Sequence, residues 1–300
     1  MLSINTNAAS MAAVNAINKS NASLSQSMER LATGNRINSS ADDAAGKQIA
    51  NRMQTQSDGM AMAQRNIADA TAMLQTADGM FDEMNDILGR MDELATQASN
   101  GTYSDDDRAA MQSEFDELGQ EMSDMLQNTT NGGTNLFNKS ENGLFTSASG
   151  VTFQVGSQSS DQITINISSQ VSQLATDLGS LSAAFSSDYG TDGAGGTATA
   201  GTELMTLDSA NATISSVQGV MDEVGSIQST LGATMNRLSS TSTNLQSMQD
   251  NTEVAIGNIM DTDYATEASN MSKQQVLMQT GITMLKQANS MSGMVSSLLQ

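Results

Sequence analysis

The sequence lacks four residue types altogether: cysteine, histidine, proline and tryptophan. Its 300 residues include only six phenylalanines and three tyrosines. Without imidazole or thiol groups, the commonest acid–base and nucleophilic side chains are missing, so we expect no catalytic residue and no enzyme. The scarcity of aromatic rings also argues against a surface that stacks nucleic-acid bases. No residue pattern indicates a cofactor or a metal.

Positive charge is also scarce, because 12 Lys and Arg accompany 33 Asp and Glu, for a formal net charge of −21. The imbalance is concentrated in residues 58–124, where sixteen residues are acidic and three are basic. Such a surface repels phosphate groups, so we expect no nucleic-acid partner. No run approaches the length of about 18 apolar residues that spans a membrane, and we expect no membrane insertion. The N-terminal stretch lacks the basic and apolar regions of a cleaved secretory signal.

Hydrophobic periodicity predicts two long helices. From Ile49 to Ala98, apolar residues recur at alternating three- and four-residue steps, with Gln56 as the exception. This spacing is typical of a coiled-coil seam. A similar seam runs from Ala210 to Ile259, with polar interruptions at positions 228, 242, 249 and 252. Two such seams far apart in the sequence can pair, which predicts an extended shape.

Shorter patterns indicate the remaining elements. Ser104 and Asp107 have the spacing of a capping box, which predicts a third helix. Amphipathic stripes rich in alanine and methionine at both ends predict terminal helices that pair with each other or with another chain. Residues 151–155 and 163–167 alternate apolar and polar positions and predict a β-hairpin. Residues 186–203 are a low-complexity stretch of Gly, Thr and Ala, expected as an exposed loop.

The predicted fold class is therefore mainly α. We expect an elongated antiparallel coiled-coil or helical-bundle rod whose terminal helices pair, with a small β-hairpin region in the middle of the chain. The expected regions are an inner terminal-helix domain (1–45 with 255–300), a rod domain (46–167 with 204–254) that includes the hairpin near 151–167, and a short surface-exposed variable loop (168–203).

The paired acids Asp42 and Asp43 have two interpretations. They could form a carboxylate dyad or a metal site, or they could begin a helix, where negative charge is favourable near the N-terminus. No other motif supplies the converging partners that such chemistry needs. We interpret the stretch as a joint: the chain turns at Gly34, and Ser40 caps a long helix that begins near Ala41.

Long motifs occur in order toward both ends of the chain. They are SINTN (3–7), LSQSMERLATGNRINSSADDAAG (24–46), QRNIADATAMLQTADG (64–79), ILGRMDELATQASNGT (87–102), DTDYATEASNMSKQQVLMQTGITMLKQAN (261–289) and the final SSLLQ. These segments resemble those of the bacterial flagellins, the subunits of the flagellar filament. Because several long motifs match in order, the resemblance is more specific than any single short motif.

The resemblance implies a structural subunit that polymerises into a filament of many copies, after unfolded export through the flagellar type III apparatus. It places the protein in the extracellular flagellum, which serves swimming. The implied partners are the flagellar cap, hook-junction proteins and an export chaperone. No large outer domain is expected, because only residues 168–203 occupy its place.

The resemblance places the subunit interface on the terminal helices. Arg30 and Arg36 are expected to pair there with carboxylates of the same or a neighbouring subunit. The apolar members of this expected interface are Ile4, Met11, Ile17, Leu24, Leu31, Met278, Ile282, Leu285, Val295 and Leu298.

The resemblance also covers the segment that animal innate immune receptors read in some flagellins. Gly89 departs from the glutamine usual there, so recognition by a host receptor is a hypothesis. Internal packing is the alternative role for Leu88, and subunit contact is the alternative for Arg90. The residues that match the recognised segment are Leu88, Arg90, Leu94, Gln97 and Glu114.

Two other interpretations remain open from the sequence. A hook–filament junction protein has related terminal helices but ends or adapts the polymer. A chemoreceptor-like coiled coil would stay in the cell and would not elongate. Self-polymerisation of the purified subunit separates the first from a filament subunit, and presence in sheared surface material separates the second.

Overall fold

The computed structural model describes residues 7–138, 143–189 and 201–298. Within these ranges the chain is mainly helical, which confirms the predicted fold class. The elements in chain order are α1 (Ala8–Thr33), α2 (Ala44–Ala98), α3 (Asp105–Asn128), β1 (Thr130–Asn131), β2 (Thr134–Asn135), β3 (Val151–Gln154), β4 (Gln162–Ile165), α4 (Ser168–Leu181), α5 (Ala183–Tyr189), α6 (Leu207–Met260) and α7 (Tyr264–Leu298).

The chain divides into two compact units. The terminal unit is drawn from residues 1–58 and 249–300, and the central unit comprises residues 59–248. Among the described residues, the buried apolar side chains belong to the central unit, except for Leu24, Ile37 and Ala50. The terminal unit therefore has almost no hydrophobic core of its own.

The seam predicted along α2 lines the core of the central unit. Its members from Met60 to Ala98 are all at most 4% exposed, which confirms the periodicity over that range. In α6, buried residues recur every seven positions from Ala210 to Leu245. Coiled-coil spacing thus buries one side of each long helix.

A polar residue in the α6 seam connects the two long helices. Gln228 Nε2 donates to Asp82 Oδ1 at 2.7 Å, and Gln228 Oε1 accepts from Asn85 Nδ2 at 3.1 Å. A polar residue at a seam position favours one register because other registers leave it without a partner. The interruption seen in the sequence is therefore a hydrogen-bonded contact between α2 and α6.

The capping box predicted for α3 is present. The Ser104 hydroxyl oxygen accepts from the backbone N–H of Asp107 at 3.3 Å, and Asp107 Oδ2 accepts from the backbone N–H of Ser104 at 3.0 Å. The Ser104 hydroxyl also donates to Asp107 Oδ2 at 2.7 Å, and this bond, followed by the one from the Ser104 backbone N–H, lowers the pKa of Asp107. The box satisfies backbone donors that the first helical turn leaves free.

The predicted hairpin forms from β3 and β4, which pair antiparallel with Val151 opposite Ile165. A second antiparallel pair, β1 and β2, encloses Gly132 and Gly133, whose φ angles of 58° and 83° suit a tight turn. Sequence periodicity could not indicate this pair, because a two-residue strand shows no alternation.

The prediction of an exposed loop over residues 168–203 is wrong for residues 168–189. These residues form α4 and α5, and their apolar side chains enter the core of the central unit. The signal is a short helical stripe at three- and four-residue steps, which the neighbouring Gly-rich stretch obscures. Residues 190–200 lie outside the described part. The buried members are Val171, Leu174, Leu178, Leu181 and Phe185.

A polar cluster fixes the chain just before α6. Gln112 Nε2 donates to the carboxylates of Asp116 at 2.8 Å and Glu203 at 2.7 Å. Gln112 Oε1 accepts from the backbone N–H of Leu204 at 2.7 Å, and Asp116 Oδ2 accepts from that of Gly201 at 3.1 Å. Because these buried groups satisfy one another, the cluster anchors the segment to α3.

Candidate assembly interface

Helices α1 and α7 pack against each other as an antiparallel pair. At one end, Asn7 Nδ2 donates to the carbonyl of Ala288 at 3.1 Å. Further along, Ile17 lies so close to Gly281 that a Cβ atom at Gly281 would be 2.7 Å from Ile17 Cγ1. Residue numbers rise along α1 as they fall along α7, so the terminal helices pair as the sequence predicts.

An ion pair joins the same two helices near the other end of α1. Arg30 Nη1 lies 3.9 Å from Glu267 Oε2, and Glu267 is only 7% exposed. The carboxylate partner expected for Arg30 is therefore within the subunit. The Arg30 Nε atom is buried without a hydrogen-bond partner. Removing either charge would leave the other poorly solvated between the helices.

Of the seven expected apolar interface residues whose side chains the structure describes, two are exposed, four are partly buried and one is buried. Leu24 is 7% exposed, whereas Met11 is 56% and Ile282 is 40% exposed. Ile4 lies outside the described residues, and so do the side chains of Val295 and Leu298. Partly buried members are Ile17, Leu31, Met278 and Leu285.

Further large apolar side chains of α1 and α7 are exposed. Val276 and Met284 are each 62% exposed, although both are of types that usually lie inside. A concentration of such residues on a soluble protein marks a surface on which another molecule packs. We call this set the terminal apolar surface: Met11, Val14, Met28, Val276, Leu277, Ile282, Met284 and Met291.

The joint after α1 contacts the end of α6. Gly34, with φ 77°, ends α1 in the left-handed conformation, and its carbonyl accepts from the backbone N–H of Thr262 at 2.9 Å. Arg36 donates from its backbone N–H to the carbonyl of Met260 at 2.6 Å and from Nη2 to that of Ile259 at 2.8 Å. Within the subunit, the structure gives Arg36 carbonyl partners, because unsatisfied carbonyls at a helix end attract a cation. A carboxylate partner on a neighbouring subunit stays a prediction.

The carboxylates of Asp42 and Asp43 accept hydrogen bonds from backbone N–H groups in and after the joint. Asp43, and not Ser40 as predicted, caps α2, because Asp43 Oδ1 accepts from the backbone N–H of Gly46 at 2.9 Å. Spacing could not choose between them, since both residue types are good caps. The Asp42 carboxylate accepts from the backbone N–H of Ser39 at 2.9 Å, and this bond is the main cause of the lowered pKa of Asp42. Among the described residues, no cluster of three or more acidic side chains could hold a metal ion.

The segment that resembles a receptor-recognition site is only partly exposed. Leu88 and Leu94 are 0% and 2% exposed, so both are core residues, and internal packing is the role that the structure gives Leu88. Arg90 Nη2 lies 2.7 Å from Glu114 Oε1, and the hydrogen bond with Glu114 is the main cause of the raised pKa of Arg90. Gln97 is exposed on the same helix. The structure therefore brings Arg90 and Glu114 together at the surface.

Arg108 closes the turn between α2 and α3, a role that no sequence motif indicates. It is 8% exposed and donates to the carbonyls of Ala98 at 3.0 Å and Tyr103 at 2.9 Å. The first of these carbonyls belongs to the last turn of α2, which has no partner within the helix. Arg108 thereby joins the end of α2 to the start of α3, the two helices that carry Arg90 and Glu114.

A groove of about 1090 Å³ lies between α4, α5 and the loop before β3. Its described lining is mainly Ser, Thr, Ala and Gly and includes no carboxylate. Burial raises the pKa of the lining residue Tyr189, whose hydroxyl donates to the carbonyl of Phe137 at 3.0 Å. The described lining residues of the groove therefore include no acid–base pair. In the ranges that the structure describes, no helix is both long and apolar enough to cross a membrane.

Two family descriptions match this chain. Residues 4–142 match the bacterial flagellin N-terminal helical region, and residues 214–299 match the bacterial flagellin C-terminal helical region. The matched ranges include α1, α7 and most of the two long helices.

The chain is also similar in sequence to individual flagellins. The chain is 32% identical over 303 residues to the flagellin of Listeria monocytogenes, and the alignment covers 99% of each chain. It is 42% identical over 168 residues to flagellin A of Vibrio anguillarum, an alignment that covers 56% of this chain and 42% of the relative. The chain thus spans less than half the length of the Vibrio relatives that it matches.

The solved structures that share the fold include one described as a flagellar hook-associated protein from Vibrio parahaemolyticus. It aligns with a TM-score of 0.53 and 15% sequence identity. The alignment covers 73% of this chain and 100% of that one. At this identity the likeness shows a common architecture and does not favour a hook-junction role.

Proposed function

Because this chain belongs to the bacterial flagellin family, we propose that it is a structural subunit that self-assembles into the helical filament of the bacterial flagellum. The observation that carries the proposal is the terminal apolar surface. Repeated head-to-tail contacts between identical subunits build an open helical polymer, and they would bury this surface.

The terminal unit buries few apolar side chains within one subunit. Only Leu24, Ile37 and Ala50 are buried apolar residues among its described positions, whereas Val276 and Met284 remain mostly in water. Burying an exposed Val, Leu, Ile or Met side chain contributes about 1.5–3 kcal/mol. Contacts with neighbouring copies would therefore supply the core that the terminal unit lacks.

Charge on the terminal helices is compatible with packing of identical copies. Four basic and two acidic residues occur along α1 and α7, a net charge of +2 in a chain with a net charge of −21. Identical helices with so few charges repel each other weakly. The six residues are Lys19, Glu29, Arg30, Glu267, Lys273 and Lys286.

The remaining parts of the proposal follow from family membership. The inner domain of the filament comprises residues 1–45 with 255–300, and residues 46–167 with 204–254 form the next layer. The subunit is exported unfolded through the flagellar type III apparatus, is located in the extracellular flagellum and serves swimming. Its partners are further copies, the flagellar cap, hook-junction proteins and an export chaperone. It is not an enzyme.

Truncation tests the role of the terminal helices. We expect deletion of residues 1–30 or 271–300 to leave a soluble protein whose central unit stays folded but which forms no filaments. Thermal unfolding by circular dichroism checks folding, and electron microscopy of concentrated samples checks polymerisation. Filaments formed by either truncated protein would contradict the proposal.

A pair of point variants sharpens the test. Met284→Glu places a charge on the terminal apolar surface, and Leu207→Glu places one at an exposed apolar residue of the central unit. We expect Met284→Glu to raise the concentration needed for polymerisation by at least about tenfold, because a charge cannot be buried unpaired in an apolar contact. Leu207→Glu should polymerise almost as the parent chain does. Equal effects of the two variants would contradict the assignment of the terminal apolar surface as the interface.

We also propose that the monomer is recognised by an animal innate immune receptor through the surface that holds Arg90, Gln97 and Glu114. The buried Leu88 and Leu94 support this surface from beneath. A Cβ atom at Gly89 would meet nothing within 4 Å, so a glutamine fits there. In a receptor-reporter cell assay, we expect Gly89→Gln to signal more strongly than the parent chain. Absence of a signal from both proteins would contradict the proposal.

A further inference from the structure

The methionines of the two units differ in exposure. On α1 and α7 of the terminal unit, Met11, Met28, Met284 and Met291 are 56%, 47%, 62% and 55% exposed. In the central unit most methionines contribute to the core, although Met62 and Met248 are exposed at its ends. The buried methionines of the central unit are Met60, Met80, Met84, Met91, Met111 and Met122, each at most 8% exposed.

The chain contains 23 methionines and no cysteine, so thioether sulfur is the side-chain group most readily oxidised by peroxide. The sulfur lone pair attacks one oxygen of hydrogen peroxide, and the O–O bond breaks. The sulfur gains that oxygen and is oxidised by two electrons, while the second oxygen leaves and takes up a proton to form water. Access decides which methionines react, so the favoured targets are the four exposed residues of the terminal helices together with the exposed Met62 and Met248 of the central unit.

We propose that oxidation of Met11, Met28, Met284 and Met291 in the unassembled subunit blocks polymerisation, and that packing in the polymer protects these residues from the oxidant. The inference rests on the proposed function. It assigns these four thioethers as a modification site whose oxidation state decides whether the terminal apolar surface can associate.

The physical reason lies in the apolar residues on the same helix faces. Val14 lies one turn after Met11 on α1, and Leu277 lies two turns before Met284 on α7; both Val14 and Leu277 are exposed. A flexible thioether adapts to such a surface, whereas a sulfoxide carries a polar S–O group that requires a hydrogen-bond donor. Burying it among apolar side chains leaves that group without a partner.

The central unit should survive the same treatment. Its core methionines are enclosed, so peroxide reaches them only when the unit unfolds. Mild oxidation therefore changes the terminal apolar surface without unfolding the central unit. This difference separates loss of assembly from general damage.

The experiment compares purified full-length subunits before and after brief treatment with hydrogen peroxide. We expect oxidised subunits to need an at least about tenfold higher concentration to polymerise on filament seeds, with unchanged thermal unfolding of the central unit. Methionine sulfoxide reductases should restore assembly. Filaments treated after assembly should form sulfoxide at the four positions more slowly than free subunits do.

Two variants locate the effect. A variant with leucine at all four positions (Met11→Leu, Met28→Leu, Met284→Leu and Met291→Leu) should polymerise after peroxide treatment. The matched control, Met62→Leu with Met248→Leu, should remain sensitive because it keeps the four target thioethers. Loss of assembly by the oxidised four-leucine variant would overturn the proposal.

A variant-independent measurement uses a partly oxidised sample of the parent chain. After seeded polymerisation, mass spectrometry of the separated fractions should find sulfoxide at the four positions enriched in the subunits left in solution. Equal sulfoxide in both fractions overturns the inference and leaves the proposed function intact. Failure of untreated subunits to polymerise would instead count against the proposed function itself.

Discussion

Arg36 donates a hydrogen bond from its guanidinium to the backbone carbonyl of Ile259, 223 positions later in the chain, at 2.8 Å. Its own backbone N–H donates to the neighbouring carbonyl of Met260 at 2.6 Å. These carbonyls lie in the last turn of α6, where no partner exists within the helix. The joint after α1 therefore caps α6 at the point where the chain turns into α7.

The first prediction concerns this cap. Replacing Arg36 by Met removes the charged donor but keeps a long apolar side chain, and it should destabilise the terminal unit by about 1 kcal/mol. Hydrogen exchange of the backbone amides at 257–262 should become faster. Arg52→Met is the matched control, because Arg52 is an exposed arginine of α2 in the same unit. Unchanged exchange in the Arg36 variant would show that the cap has no energetic role.

The second prediction concerns pH. Burial raises the pKa of Glu223 from its ordinary value of 4.5 to about 7, with the hydrogen bond and charge of Asp177 as further causes. The buried Glu223 Oε2 has no hydrogen-bond partner. Below pH 4.5 the side chain is protonated in both the folded and the unfolded states, so its contribution to stability is complete. Between pH 4.5 and about 7 only the unfolded state ionises, so the stability of the central unit falls as pH rises.

Glu223→Gln should abolish that part of the pH dependence and should be more stable than the parent chain above pH 7. Urea unfolding at pH 5 and pH 8 gives the comparison. Asp222→Asn, one position earlier and exposed, should keep the pH dependence of the parent. If the difference in unfolding free energy between the parent and Glu223→Gln were equal at the two pH values, the raised pKa would be wrong.

The third prediction concerns the close approach of α1 and α7. A Cβ atom at Gly281 would lie 2.7 Å from Ile17 Cγ1, so Gly281→Ala should force the two helices apart despite the better helix propensity of alanine. We expect a lower melting temperature for the terminal unit. Combining it with Ile17→Ala should recover part of the loss, because space is restored. Gly219→Ala in α6 is the control, since nothing lies within 4 Å of that position, and it should stabilise by about 0.5–1 kcal/mol.

The fourth prediction concerns the start of α3. Ser104→Ala removes both hydroxyl bonds of the capping box and should cost about 1 kcal/mol of central-unit stability. Ser113→Ala, at an exposed position within α3, should instead be neutral or slightly stabilising. Denaturant midpoints of the two variants give the answer. A Ser104→Ala midpoint equal to that of the parent would mean that water satisfies the freed donors.

Local structure could be predicted from the sequence wherever a residue pattern is compatible with only one structure. The heptad seam from Met60 to Ala98 and the box at Ser104 are such cases, because burial and capping depend on nearby residues. Prediction from sequence failed where nearby residues supported more than one structure. Two candidates three positions apart, Ser40 and Asp43, could cap α2, and the short stripe of α4 lay beside a low-complexity stretch.

The sequence by itself determined the helical class, the paired terminal helices, the central hairpin and the family, because these depend on periodicity and on long ordered motifs. Only the tertiary structure decided the partners of Arg36 and Arg108, the pairing of Arg90 with Glu114, and which methionines are exposed. These features join residues from separate elements, and linear spacing cannot specify such distances. The physical reason is that burial and hydrogen bonding depend on which helix lies opposite, and that is settled only when the whole chain packs.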